Sequence, residues 1–306
     1  MAEYGNQQDD LRRRLEDGFF LQNAPGGAFD LLEHRHEWRT AIILDACRFD
    51  TFEKVWGRNV DIKKGQTTNY GGKKGKKGQT PFSNSEKGVS PFFPSPFFAG
   101  RLERRISVAS CTEDWVCRCL DRPLDDVVYI SASPYVSNWY LEQLGVANRL
   151  AHLEEVWRDG WDDQLHTVPP GAVLAAHLRL RGRFADKKFV LHFMQPHHPY
   201  IGPVRIAGAG WRKYFGAMEL DSPELDGKTP IEMLEDGQVA PEQVRLAYES
   251  NLELVLGHIQ AAMADLAGPV VITADHGEAF GEGGIYGHPC GTLLPELIAV
   301  PYLVVD

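Results

Sequence analysis

Residues 270–278 read Val-Val-Ile-Thr-Ala-Asp-His-Gly-Glu. A short apolar, β-branched run without polar alternation suits a strand covered on both faces, which is how parallel sheets are built. The run stops at Asp275-His276, so a carboxylate and an imidazole leave the sheet together. In open α/β sheets that edge is where ligands collect.

Working outward, runs of the same kind occur at 40–45 (TAIILD), 127–131 (VVYIS), 189–193 (FVLHF) and 300–305 (VPYLVV). Between them lie stretches with apolar residues at helical spacing, near 51–56, 113–120, 136–144, 153–158, 172–181 and 241–266. The alternation predicts an α/β fold, a mainly parallel central sheet with helices on both faces, in one domain over residues 1–306. No repeat of fixed period interrupts it. Residues 57–100 and 201–237 read as loops; the second carries the helix breakers Pro203, Pro223 and Pro230.

Composition narrows the function. The chain has 306 residues, 43% hydrophobic and 24% charged, enough for a core and against disorder throughout. A net charge of −10 argues against coating nucleic acid or an anionic membrane. The start, MAEYGNQQDDLRRRLEDGFF, is polar where a signal peptide needs an apolar stretch, and no run of 18 apolar residues occurs, so the chain reads as soluble, without a transmembrane segment, and cytoplasmic. The five cysteines, Cys47, Cys111, Cys117, Cys119 and Cys290, contain no C-x-x-C pair and read as reduced thiols, with neither a disulfide framework nor a zinc knuckle. One segment departs from the average. Residues 63–88 hold seven of the twelve lysines and one acid, Glu86, and the Pro/Phe run PFFPSPFF follows. The insert, 61–100, is expected to be a loop: either a tolerated solvated insertion or a basic flap that attracts a phosphorylated substrate.

The strand ends carry a consistent set of polar residues. The first run ends in Asp45 within IILDACRFD, the third leads into 194–200 (MQPHHPY), and the fourth into Asp275, His276, Gly277 and Glu278, with His288 following in GHPCG. Carboxylate oxygens with imidazole nitrogens are ligand chemistry for zinc or manganese.

These elements resemble the alkaline phosphatase superfamily on its sulfatase-like branch: strand-then-Asp, P-H-x-P-Y at 196–200, strand-then-D-H-G-E, and a histidine in GHP before a last strand, in that order. Around the last motif the chain is similar to phosphoethanolamine transferases and lipoteichoic acid synthases, in which a second histidine follows by about a dozen residues; here His276 and His288 are twelve apart. The resemblance implies an alkaline-phosphatase-like fold and a divalent metal, one ion (Zn, Mn, Mg or Ca), held by Asp45, Asp275, His276 and a nucleophile at a helix N-terminus. That nucleophile falls within 106–115, where Thr112 opens the expected helix and Cys111, Ser110 and Ser107 stand as alternatives. The formylglycine signature C-x-P/A-x-R of true sulfatases is absent, since Cys111 is followed by Thr112, Glu113, Asp114 and Trp115. His197 and His288 are expected to bind the substrate and protonate the leaving group. Arg48 is expected to bind an anionic oxygen or orient Asp45, with an ion pair to Asp50 as its equal alternative.

The expected activity is a metal-dependent hydrolase or transferase acting on phosphate esters, with sulfate esters second, through a covalent threonine intermediate. The expected partner is a small anionic ester or a phosphorylated or sulfated glycan. The competing expectation is a sulfatase-like domain without catalysis that binds an anionic glycan or a partner protein. Other residues are assigned bland roles. Cys47 reads as a buried small hydrophobe, Asn138 as a helix cap, Tyr248 and Asn251 as packing and surface, and His198 as the weaker of the adjacent pair. Asp162 and His166 read as a solvated helix face, and His152, His177 and His258 as exposed.

Overall fold

The computed structural model describes residues 28–63, 97–208 and 227–305. Most of the lysine-rich insert lies outside these residues, as do positions 209–226 of the second expected loop and the polar start of the chain.

The strands are β1 (Thr40–Leu44), β2 (Gly100–Ile106), β3 (Leu124–Ser131), β4 (Leu150–Glu155), β5 (Lys188–Phe193), β6 (Val270–Thr273), the short pair β7 (Ala279–Phe280) and β8 (Tyr286–Gly287), and β9 (Ala299–Val305). The helices are α1 (Phe49–Lys63), α2 (Thr112–Cys119), α3 (Asn138–Gln143), α4 (Val156–Asp159), α5 (Pro170–Leu180), α6 (Pro230–Glu235), α7 (Pro241–Ala262) and α8 (Pro295–Ile298). Seven strands form one sheet in the order β2-β9-β6-β1-β5-β3-β4, and β7 pairs with β8 separately. β1 lies between β5 and β6, parallel to both, so the ends of the three motif-bearing strands sit side by side. β9 runs antiparallel to its neighbours β6 and β2. The mainly parallel sheet expected from the apolar runs is therefore present, with β9 as the reversed member.

Strict alternation along these strands feeds two cores. Ile42, Leu44, Leu191, Phe193 and Ile272 point to one face, packed with Leu252, Val255 and Ile259 of α7 and Val173 of α5. Ala41, Ile43, Val190, Val271 and Tyr129 point to the other, against Trp115 and Val116 of α2 and Leu141 of α3. Burial on both faces is why β1 and β6 read as unbroken apolar runs.

The edges depart from expectation. β2, GRLERRI, is half-exposed and charged, a composition that protects a sheet edge and hides the strand from an apolar-run search. β4 at the opposite edge, LAHLEE, occupies part of the helix expected over 153–158; that helix is reduced to the single turn of α4. α1 extends past the helix expected at 51–56 and replaces the start of the loop at 57–100. Pro230 opens α6 inside the second expected loop, where a first-turn proline is well tolerated and Thr229 and Glu232 form a reciprocal cap. No helix among the described residues is long and apolar enough to cross a membrane.

Candidate metal and phosphoester site

Asp45, at the end of β1, and Asp275 and His276, after β6, are fully buried, and one ligand atom from each lies within 4.8 Å of the others. Asp275 and His276 are held by backbone groups. Asp275 Oδ1 accepts from the backbone N–H of Ala46 (3.1 Å) and of His276 (2.9 Å), which leaves Oδ2 for the cluster. His276 donates Nδ1–H to Gly277 O (2.8 Å), so the Nε2 lone pair faces the carboxylates, 3.4 Å from Asp275 Oδ2. Gly277 follows because a Cβ there would lie 2.0 Å from the Glu296 carbonyl oxygen. Neither oxygen of Asp45 has a hydrogen-bond partner among the described residues. A buried carboxylate in that condition is costly unless a cation or a proton meets it. Burial first, then the Asp275 and Glu278 carboxylates, push the Asp45 carboxyl well above its usual range. Unpaired buried oxygens beside an imidazole lone pair fit a divalent cation of the zinc class, the donor set being Asp45, Asp275 and His276.

The four hydroxyl and thiol candidates are separated by their contacts. Thr112 is the first helical residue of α2, and its Oγ1 donates to Asp275 Oδ2 (2.8 Å) and lies 3.1 Å from His276 Nε2. Ser110 Oγ donates to Pro289 O (2.9 Å) and accepts from Thr292 N–H (3.1 Å). Ser107 Oγ donates to the Asp275 carbonyl. Cys111 is the N-cap of α2 and forms a disulfide with Cys290. Thr112 thus escapes the capping role that a threonine before Glu would ordinarily have, because Cys111 takes it.

The disulfide corrects the expectation of five reduced thiols; Cys47, Cys117 and Cys119 stand outside it, all buried. It closes 179 residues of chain, ties the N-terminus of α2 to the loop after His288, and involves no C-x-x-C spacing by which it could be read. The double variant Cys111→Ser/Cys290→Ser is expected to lose about 2–5 kcal/mol of unfolding free energy. A lower melting temperature under non-reducing conditions, matched by wild type in dithiothreitol, is the readout, and equal melting curves would count against the bond.

His197, after β5, donates Nδ1–H to His198 O (2.6 Å), and its ring centre lies 5.1 Å from that of His288. The His288 ring is in turn 4.6 Å from that of His276. His288 Nδ1 faces Glu278 Oε1 at 2.9 Å. Burial alone would lower the His288 pKa, but the Glu278 carboxylate overrides it and holds the imidazole above its ordinary value. His197 is driven the other way, by burial and by its histidine neighbours. The pair therefore offers one imidazole biased toward its charged form and one held neutral.

Several assignments change. Arg48 makes the ion pair with Asp50 that stood as its equal alternative: Nε and Nη2 donate to Asp50 (2.9 and 2.6 Å), and Nη1 donates to Glu282 (2.6 Å) and the Glu278 carbonyl (3.1 Å). Tyr248 and Asn251 are buried clamps rather than surface. Tyr248 OH accepts from Arg48 N–H (2.9 Å) and donates to Ala46 O (2.5 Å), while Asn251 Nδ2 donates to Pro196 O and His197 O (3.1 Å each). One face of α7 thus fixes both the Asp45 and the His197 loops. His177 is buried against Phe189 instead of exposed. His152 is half-buried beside Glu154, and Asp162 caps a turn, not a helix face. Ser137, not Asn138, caps α3.

Two residues of the site escape a sequence search. Glu278 was legible only as the tail of D-H-G-E, and its oxygen Oε2 is buried without a partner among the described residues. His192, inside β5, reads there as one polar residue in an apolar strand. Its Nε2 lies 3.8 Å from both Asp45 Oδ2 and Asp275 Oδ2.

No protein-family model matches the sequence, and no curated protein matches it. Solved structures do. The integral membrane protein lipooligosaccharide phosphoethanolamine transferase A from Neisseria meningitidis superposes with a TM-score of 0.51 at 13% identity, over 87% of this chain and 47% of that one. The soluble domain of the same transferase gives 0.48 at 13% identity, over 92% and 78%. The C-terminal periplasmic domain of phosphoethanolamine transferase EptC from Campylobacter jejuni gives 0.47 at 14%, over 86% and 77%. The likeness shows a shared, alkaline-phosphatase-like α/β fold. The chain spans about half the length of the full transferase it matches.

Proposed function

We propose that this chain is a metal-dependent phosphoester transferase or hydrolase that works through a phosphorylated Thr112. The observation that carries the reading is the Thr112 hydroxyl at the first turn of α2, 2.8 Å from Asp275 Oδ2 and 3.1 Å from His276 Nε2. Asp45, Asp275 and His276 would hold a divalent cation, which when bound would supply charge compensation and ease loss of the hydroxyl proton. The N-terminus of α2 points its backbone dipoles toward the charge that builds on the phosphoryl oxygens. Thr112 Oγ1 passes its proton along its hydrogen bond to Asp275 Oδ2 and bonds to phosphorus as the ester bond to the leaving oxygen breaks, and His288, biased toward its charged form by Glu278, gives that oxygen a proton. His197 holds a non-bridging oxygen. Water or an acceptor alcohol then releases the phosphoryl group from Thr112.

The disulfide at Cys111 supports phosphate over sulfate chemistry, because a cysteine in that bond is no source of formylglycine. It also speaks against the cytoplasmic setting expected from the polar start, since such bonds persist in oxidising compartments. The relatives' names supply the first substrate class to assay, a phosphoethanolamine ester; an aryl phosphate and an aryl sulfate serve as generic probes. Zinc-loaded protein is expected to turn over the phosphate and leave the sulfate. His288→Ala is expected to lower kcat by roughly a hundredfold for a poor leaving group and far less for nitrophenolate, which needs no proton. Turnover of neither ester, with zinc bound, would favour a binding domain instead.

A further inference from the structure

His192 belongs to neither the ligand set nor the substrate contacts, yet it is fully buried and its Nε2 has no hydrogen-bond partner among the described residues. The ring lies on the α2 face of the sheet. β5 register places it beside Ile43 of β1 and Ser131 of β3, one strand from each side of the site. Trp115 of α2 and Tyr129 of β3 flank it edge-on, with ring centres 6.5 and 6.0 Å away. Tyr129 OH, also buried, lies 2.9 Å from His192 Nδ1, its one hydrogen-bond partner among the described residues. A buried phenol that meets a single group donates to it. Nδ1 is then the acceptor, and the ring proton belongs on Nε2, aimed between the two carboxylates at 3.8 Å.

We propose that His192 is a positioning residue for the metal site: Tyr129 fixes its tautomer, and its Nε2–H, pointing at Asp45 Oδ2 and Asp275 Oδ2, holds the two carboxylates together in their ligating arrangement. At 3.8 Å the N–H acts as an oriented dipole rather than a formed hydrogen bond. Its chemistry is that of a group behind the ligands, whose loss in other metal sites lowers affinity by 10–100-fold. The inference rests on the metal-site part of the proposed function and needs no turnover.

The test measures Zn²⁺ affinity by competition with a chromophoric chelator, alongside the melting temperature of the metal-free protein. His192→Gln keeps an N–H near the Nε2 position and is expected to bind zinc within about threefold of wild type; His192→Leu, folded by circular dichroism, is expected to lose tenfold or more. Leucine binding as wild type does, or glutamine losing as much as leucine, overturns the proposal, the second result marking His192 as a ligand. If His192→Leu does not fold, Tyr129→Phe decides: a fall of severalfold with an unchanged melting temperature supports the relay, and unchanged affinity overturns it. Wild type that binds zinc but turns over no ester defeats the catalytic reading alone, whereas wild type that binds no zinc defeats both.

Discussion

Thr112→Ala is expected to reduce ester turnover by roughly a thousandfold or more, with folding intact. The size follows from the role proposed for the hydroxyl: as the attacking group it must be present, because the N–H groups of α2 and the residues around it would stabilise charge only if a nucleophile reaches phosphorus. Serine at this position keeps the oxygen and loses a methyl, so Thr112→Ser is expected to retain measurable turnover. Acid quench of wild type during turnover is expected to trap a phosphate on the peptide containing Thr112. Ser110 and Ser107 already donate to backbone carbonyls, so Ser110→Ala and Ser107→Ala are expected to leave that adduct in place. A phosphopeptide carrying either serine, or near-normal rates in Thr112→Ala, would end the threonine assignment.

Asp45→Asn is expected to move function and stability in opposite directions. In the metal-free protein, burial and then the Asp275 and Glu278 carboxylates hold the Asp45 carboxyl well above its usual range. The fold favours the protonated form. Its contribution to stability is therefore fully present below the ordinary aspartate range and is lost as pH rises through the elevated folded value. Asparagine is neutral at every pH and removes that loss. Metal-free Asp45→Asn is expected to melt above metal-free wild type near neutral pH and to converge with it as pH falls. Zinc affinity is expected to drop by about a hundredfold or more, since the carboxylate proposed as a ligand is gone. The comparison must be the difference between two melting curves across pH, because Asp50 and Glu282, whose pKa values Arg48 and other donors lower despite burial, lose stability in the opposite direction. A metal-free variant that melts below wild type at neutral pH would show that the Asp45 charge is compensated.

The strands that build the site were legible because burial on both faces demands an unbroken apolar run, and β1, β3, β5 and β6 each show one. The edge strands were not. β2 and β4 face solvent along part of their length, so charge replaces the pattern, and β4 was read as helix. Asp45, Asp275 and His276 could be named from strand-end motifs, since residues at the carboxyl ends of adjacent parallel strands must meet. Tyr248 and Asn251 could not be assigned, because a helix with a buried stripe gives no sign of which polar residue in it clamps a loop.

The sequence by itself determined the buried strands β1, β3, β5, β6 and β9, the main helices between them, and the residue types at the strand ends, because these follow from local periodicity and from where an apolar run stops. Only the tertiary structure shows that, of Ser107, Ser110, Cys111 and Thr112, it is Thr112 whose hydroxyl meets Asp275 Oδ2, since that depends on where the first turn of α2 aims it. It also decided that Arg48 is spent on Asp50 and Glu282, that Cys111 meets Cys290 across 179 residues, and that His192 lies behind two carboxylates. Each of those contacts joins positions far apart in the chain, and no local pattern records the direction in which a side chain points once the sheet has brought its strands together.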